Sequence, residues 1–423
     1  MTGRDDERAH WGIVLLLAAT ATAAYLCRVN VSVAGALIMK EYGLSQAQMG
    51  RVFSAFLLGY TLFMLPGGML ADGWGARRTL AWLAWGWVAV TALHAAIPPV
   101  GSGGGAPAVI AMLVALRFVM GTCAAPTYPA AVQGVARWVP SWAHGRANGL
   151  VIGSVGLGSA LAPPFITAVM VPWGWRTAMV ASAVPALALA VAWLFVREPA
   201  ARRGEEAPRA VAATSATEPH LKAVARLFRA PGFAWLTFSY SLQGYVGYIF
   251  IFWFYLYLVQ VRHFSLVESA VWSSLPWVLS TISIPLGGWI SDRLIATRLG
   301  LVWGRRLVPM VGMAGAGVFI SIGAHTSQAG LAAVSLAVAT ALVLSVEGAF
   351  WSTVAGLAGE RSGTGGAIMN TGCNIGGLVS PMLTPVIGEM FGWEPALHVA
   401  AALSILAALA WLRIRPAAAA APS

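Results

Sequence analysis

The sequence predicts an all-α membrane protein of twelve transmembrane helices, arranged as two pseudo-symmetric six-helix halves. Three observations carry that expectation. The 423 residues are 58% hydrophobic and 10% charged, an apolar share too large for a water-soluble core. Continuously apolar runs recur along the whole chain, near the roughly 20 residues a helix needs to cross a hydrocarbon layer about 30 Å thick. The second half also repeats the first: Gly158, Pro163, Gly174-Trp175 and Ala192-Trp193-Leu194 return 218 positions later as Gly376, Pro381, Gly392-Trp393 and Ala410-Trp411-Leu412.

The first span, Trp11–Ile38, follows a charged N-terminus and so has the look of a secretory signal. Its length and the lack of a small-residue cleavage site predict a retained helix instead. Gln48–Ala71, Thr79–Ile97, Ala106–Val132, Gly149–Val171 and Thr177–Val196 complete the first half. The stretch "REPAARRGEEAPRAVAATSATEPH" then breaks the apolar pattern and reads as a cytoplasmic linker. Gly232–Val259, Val267–Ile290, Leu307–Ala324, Ala329–Ala355, Ala367–Met390 and Pro395–Leu412 form the second half. The expected division is 1–196, a linker over 197–231, and 232–423. Because the runs do not alternate, they are helices rather than barrel strands.

The formal charge of +11 invites a nucleic-acid reading. The distribution of the 26 Lys and Arg argues against it: twenty fall at the termini and in the even-numbered loops, and four (Lys40, Arg51, Arg176, Arg262) on the other side. The last two, Arg28 and Arg117, lie inside spans. Positive charge is retained in the cytoplasm, so both termini are expected there, in a multi-pass protein of the cell (inner) membrane. No disulfide is expected among Cys27, Cys123 and Cys373, which all fall in spans. The sequence has no His-x-x-x-His pair, no Gly-x-Ser-x-Gly and no carboxylate cluster, so no enzyme, metal or cofactor is expected. The expected state is a monomer in lipid with a small anionic ligand.

A shift of 220 sets "PGGMLADGWGARR" from Pro66 against "LGGWISDR" from Leu286, aligning Gly67, Gly68 and Asp72 with Gly287, Gly288 and Asp292. Duplicated halves place a site at the midplane between them. Over essentially the whole chain this pattern resembles the major facilitator superfamily. Within it, "RVNVSVAG", "GLSQAQMGRVFSAFLLGYTLFMLPGG", "RFVMGTCAAPTYPA" and "GGAIMNTGCNIGGLVSP" are similar to the anion:cation symporter family, whose members carry galactonate, hexuronates and sialic acid. The resemblance implies alternating access and a cytoplasmic latch at Asp72, Arg77, Arg78, Asp292 and Arg293. A plain positive-inside loop is the alternative for the arginines. Gly73 stands where the family has a basic residue after the aspartate.

An ionised guanidinium at mid-bilayer costs about 2.5–3.5 kcal/mol on insertion scales. Arg28 lies about 5 Å and Arg117 about 3 Å outward from the middle of its span at 1.5 Å per residue, so the two share a depth. No acid occurs in either span. A planar guanidinium suits a carboxylate bidentately, so both are expected to hold a substrate anion. The alternative is that they cap carbonyls as structure. By resemblance, Tyr25, Tyr60, Gln243, Trp351, Asn370 and Asn374 also contact substrate; joining helices by hydrogen bonds is the alternative for each. Proton-coupled relatives place an aspartate before the first arginine and a glutamate seven residues after the second, where this chain has Cys27 and Ala124. The acid left deep in a span is Glu347, the candidate for proton coupling. The expected function is secondary transport of a small organic anion such as a sugar acid or a mono- or dicarboxylate. The alternatives are a proton-independent uniporter or exchanger and a non-transporting nutrient sensor.

Overall fold

The computed structural model describes residues 3–100, 105–140, 143–197, 227–359 and 362–416, with the side chains of 3–10, Asp72 and Ser362 outside that description. Most of the linker over 197–231 is also outside it. The described residues hold helices and no strand.

Four of the first six spans come as single or paired rods: α1 (Gly3–Tyr42), α2 (Gln46–Trp74) and α3 (Ala76–Ala95), then α4 (Ala106–Ala124) with α5 (Thr127–Trp138) as a broken fourth span. The fifth and sixth run together as α6 (His144–Phe195), divided where Gly174 turns to φ 81°. The seventh is α7 (Phe233–Phe252) and α8 (Phe254–Gln260), bent by 53°. The eighth and ninth are α9 (Leu266–Ile295) and α10 (Gly300–His325). The tenth is broken into α11 (Ala329–Ser345) and α12 (Glu347–Ala358), and α13 (Ser362–Phe391) and α14 (Trp393–Ala410) close the series. Large apolar side chains such as Leu65, Met69, Trp82 and Phe195 lie exposed along these helices, as a surface solvated by lipid requires.

The internal repeat is visible in the backbone. Gly392 adopts φ 92° where its counterpart Gly174 has φ 81°, a left-handed conformation that a residue with Cβ rarely takes. Each turn is followed by a tryptophan, Trp175 or Trp393. A second correspondence appears at the starts of α2 and α9. The Ser45 hydroxyl accepts from the Gln48 N–H at 3.2 Å while the Ser45 N–H donates to Gln48 Oε1 at 2.8 Å. Ser265 and Glu268 form the same capping box at 3.2 and 2.9 Å, offset by the same 220 positions as the loop motif. Such boxes satisfy donors that the first helical turn leaves open.

The chain divides into two compact units, Met1–Pro208 with Tyr255–Ser274 and Arg209–Phe254 with Leu275–Ser423. In the first unit α1 and α3 pack on α6, and α2 on α4. The α2–α4 approach is close enough that a Cβ on Gly121 would collide with the Phe56 carbonyl. Arg176 ties three helix ends together, meeting Glu41 at 2.7 Å, the Tyr42 hydroxyl at 2.6 Å and the Ile97 carbonyl at 3.2 Å. In the second unit α7 packs on α13 and α14, and α10 on α11 and α14. Gly-x-x-x-Gly spacing at Gly149/Gly153 and Gly372/Gly376 suggests close packing from sequence, but only the second pair shows it, while in the first half the close approach falls at Gly158, against the Thr22 carbonyl. Gly376 meets the Ser241 carbonyl, whereas a Cβ on Gly149 or Gly153 would meet nothing within 4 Å.

Candidate functional site

The first unit holds a small pocket. Tyr25 and Arg28 of α1, one turn apart, form one wall, and Tyr60 of α2 another. The rest comes from the break in the fourth span: Ala124 ends α4, and Thr127 and Tyr128 begin α5. Pro126 sits at that break and has no N–H to continue the ladder. The first turn of α5 therefore presents its positive end beside the pocket.

Arg28 is 5% exposed and Arg117 fully buried. Their guanidinium carbons lie 4.9 and 4.8 Å from the centre of the Phe56 ring, a cation–π arrangement that holds two like charges on one aromatic. Arg28 Nη1 donates to the Tyr25 hydroxyl at 3.2 Å, and Tyr25 is hydrogen-bonded to Tyr128. Arg117 Nη2 donates to the Arg28 carbonyl at 2.9 Å, while its Nε and Nη1 have no acceptor. The structure thus brings the two arginines together as expected from their depth, but gives them different positions. Arg28 faces the pocket and Arg117 stands behind it.

Cys27 points the other way, its thiol 3.5 Å from the Ser182 carbonyl on α6. Next to it Asn30 Nδ2 donates to the Ser182 hydroxyl at 3.1 Å. These contacts set the rotation of α1 that turns Arg28 toward the pocket. Ala124, by contrast, is part of the pocket wall.

In the second unit Gln243 and Trp351 meet at Glu347. Its carboxylate accepts from the Tyr240 hydroxyl at 2.8 Å, Gln243 Nε2 at 2.9 Å and Trp351 Nε1 at 3.1 Å. It opens α12 directly after the break at Val346, where a helix N-terminus favours an anion. Trp351 is 44% exposed. Asn374 is buried on α13, its Oδ1 accepting from the Tyr248 hydroxyl at 3.2 Å, and Asn370 lies half-buried one turn before it.

Three residues of the loop motif, Arg77, Asp292 and Arg293, have local partners. Arg77 donates to the carbonyls of Trp193 and Leu194 at 3.3 and 2.6 Å, capping the partly negative end of α6. Arg78 is exposed, and the Asp72 side chain lies outside the described residues. Asp292 pairs with Arg305 at 3.0 Å, while Arg293 covers the Trp289 ring at 5.1 Å. The loop motif alone points to Arg293 as the nearest partner in sequence; the helix geometry brings in the arginine at the start of α10.

Sequence reasoning passes over Tyr128 and Thr127. The two prolines of "APTYPA" were the available signal for a break there, since a proline inside an apolar run ends or kinks a helix.

A sequence model described as the Major Facilitator Superfamily matches residues 16–381. The chain belongs to that superfamily. This transporter is 31% identical to a probable sulfoacetate transporter of Cupriavidus necator, over 93% of this chain and 91% of that one. It is 29% identical to a hexuronate transporter of Bacillus subtilis, covering 96% and 94% of the two chains. A D-galactonate transporter of Escherichia coli is 24% identical, over 96% and 95%. Among solved structures, a bacterial homologue of the human lysosomal transporter Spinster superposes with a TM-score of 0.79 at 18% identity, covering 96% and 98%. A D-xylose–proton symporter superposes at 0.74 with 16% identity, over 95% and 98%. The twelve-helix fold is therefore that of the superfamily, and the protein is a multi-pass membrane transporter rather than an enzyme.

Proposed function

We propose that this transporter carries a small organic anion by alternating access of two six-helix halves, 1–196 and 232–423, with both termini on the cytoplasmic side of the cell membrane. The observation that carries this reading is Arg28 at the wall of a pocket that also holds three phenols and a half-helix N-terminus. A guanidinium and an open helix start both favour an anion, and discontinuous helices are where such carriers bind charged groups. The names of the relatives, which carry sulfoacetate, hexuronate and galactonate, agree in being organic acids. Tyr25 and Tyr60 supply hydroxyls on the first-unit side. Gln243, Trp351, Asn370 and Asn374 are the second-unit contacts, and the Asp72/Arg77/Arg78 and Asp292/Arg293 loops bias the cytoplasmic gate.

Glu347 is the proton-coupling group in this reading. Three donors converge on its two oxygens, and protonation removes the charge that strengthens each of these hydrogen bonds. Two of those donors belong to substrate-contact candidates, Gln243 and Trp351, which links a proton to the ligand. The second reading is a proton-independent uniporter or exchanger; it is favoured by Ala124, an uncharged residue in the pocket wall itself.

A thermal-shift screen of the purified full-length protein against carboxylates and sulfonates tests the proposal. A ligand at a hundred times its dissociation constant stabilises by about 2.7 kcal/mol, so a true substrate raises the melting temperature and a neutral sugar does not. No shift with any organic acid at millimolar concentration contradicts it.

A further inference from the structure

The Phe56 side chain has no atom that donates or accepts a hydrogen bond, is fully buried on α2 and does not line the pocket. It nevertheless stands against both intramembrane arginines, its ring centre 4.9 Å from the guanidinium carbon of Arg28 and 4.8 Å from that of Arg117. The Tyr25 and Tyr60 rings join it around Arg28 at 5.1 and 5.5 Å, and Tyr60 stacks on Phe56 at 6.1 Å. The backbone fixes where this ring sits. A Cβ on Gly121, one turn after Arg117 on α4, would collide with the Phe56 carbonyl and the Tyr60 nitrogen, so α2 and α4 touch at this level. Arg117 is fully buried with Nε and Nη1 lacking acceptors, and no acid occurs in the span of either arginine. A buried cation is costly without a compensating charge. The negative face of an aromatic ring supplies part of that compensation, most strongly where water is excluded.

Resting on the carrier reading above, we propose that Phe56 is a positioning residue of the anion site: the electron-rich face of its ring holds the Arg28 guanidinium beside Arg117 and turned to the pocket. The two like charges repel, and Arg28, which reaches the pocket, is the one with space to swing away. A ligand that must first gather a mobile arginine loses affinity to the ordering of that side chain. With the ring in place the ordering is complete before the substrate arrives. Phe56 does not touch the ligand and acts through the guanidinium, so what the site needs from it is the charge distribution of the ring as well as its volume.

The test changes the ring's face and keeps its shape. In the full-length protein, position 56 receives 4-fluoro-, 3,5-difluoro- or 3,4,5-trifluorophenylalanine, each fluorine withdrawing electron density from the face at nearly constant volume. Phe56→Leu, apolar but without a ring, completes the series. Dissociation constants for sulfoacetate, glucuronate, galactonate and succinate are measured on the purified proteins at pH 7.5. The expected result is a stepwise weakening, with each added fluorine, of every acid that the wild type binds, reaching about tenfold for the trifluoro ring and at least as much for Phe56→Leu. A packing role gives another pattern: unchanged binding through the fluorinated series, with or without a loss in Phe56→Leu, and that result overturns the inference while leaving the organic-anion carrier standing. Stepwise tighter binding overturns it too, because the ring would then compete with the substrate for the guanidinium. Binding of none of the four acids by the wild type overturns the carrier reading and the inference with it. Should Phe56→Leu fail to fold, the fluorinated rings, close in shape to the native one, still decide.

Discussion

Arg117 donates a hydrogen bond from Nη2 to the backbone carbonyl of Arg28 at 2.9 Å. One intramembrane arginine thereby braces the backbone of another across two helices, and both flank Phe56. The contact makes the two side chains unequal, since only Arg28 reaches the pocket.

That inequality predicts an order of effects. Arg28→Gln removes a charge-assisted hydrogen bond to the substrate and weakens binding by about 1.5–3 kcal/mol. Arg117→Gln acts through the field and the brace, so its effect on the same ligand is smaller. Titration calorimetry on both variants checks the order; a larger loss in Arg117→Gln reverses the assignment.

Close helix approach predicts a contrast among glycines. Gly121→Ala drives a methyl into the Phe56 carbonyl and Gly376→Ala into that of Ser241, and overpacking of this kind costs about 1–3 kcal/mol. Gly149→Ala meets open space and leaves the melting temperature of the detergent-solubilised protein within a degree or two. Equal melting temperatures for all three variants contradict the packing described.

The membrane orientation has a direct readout. Thr297, between α9 and α10, and Ser327, between α10 and α11, are both exposed. In a background without the three native cysteines, Thr297→Cys is labelled by an impermeant maleimide only after the membrane is opened, and Ser327→Cys from outside intact cells. The reverse pattern inverts the topology.

Much of this architecture was legible in the sequence because bilayer crossing imposes a long apolar run for every helix, and gene-scale duplication leaves paired landmarks such as Gly174-Trp175 and Gly392-Trp393. The breaks were not legible. Hydropathy stays high across Ala125-Pro126 and across Val346, so both spans read as continuous rods, and only the prolines flanking Tyr128 hinted otherwise. Rotation about the helix axis was lost as well. Depth along the span placed Arg28 and Arg117 at one level, but which of them faces the pocket follows from contacts such as Cys27 and Asn30 on Ser182, and these depend on which helix lies beside α1. The convergence of Tyr240, Gln243 and Trp351 on Glu347 is the same kind of information: the residues were individually visible as polar groups in apolar spans, their common acceptor was not.

Proton coupling at Glu347 predicts that a pH gradient, acidic outside, drives accumulation of substrate in wild-type proteoliposomes. Glu347→Gln loses this accumulation yet keeps counterflow, because an amide still accepts from part of the Tyr240, Gln243 and Trp351 set. Accumulation independent of the gradient in the wild type removes the proton from the mechanism.

The central claim is that a substrate anion is held by Arg28 and carried across the membrane. Counterflow tests it most directly: proteoliposomes preloaded with unlabelled organic acid, such as succinate or sulfoacetate, are diluted into a trace of the labelled acid, with wild type and Arg28→Gln reconstituted at equal density. The account predicts rapid label uptake by the wild type and a loss of about tenfold or more in the variant. Uptake by Arg28→Gln at the wild-type rate and half-saturation would contradict it.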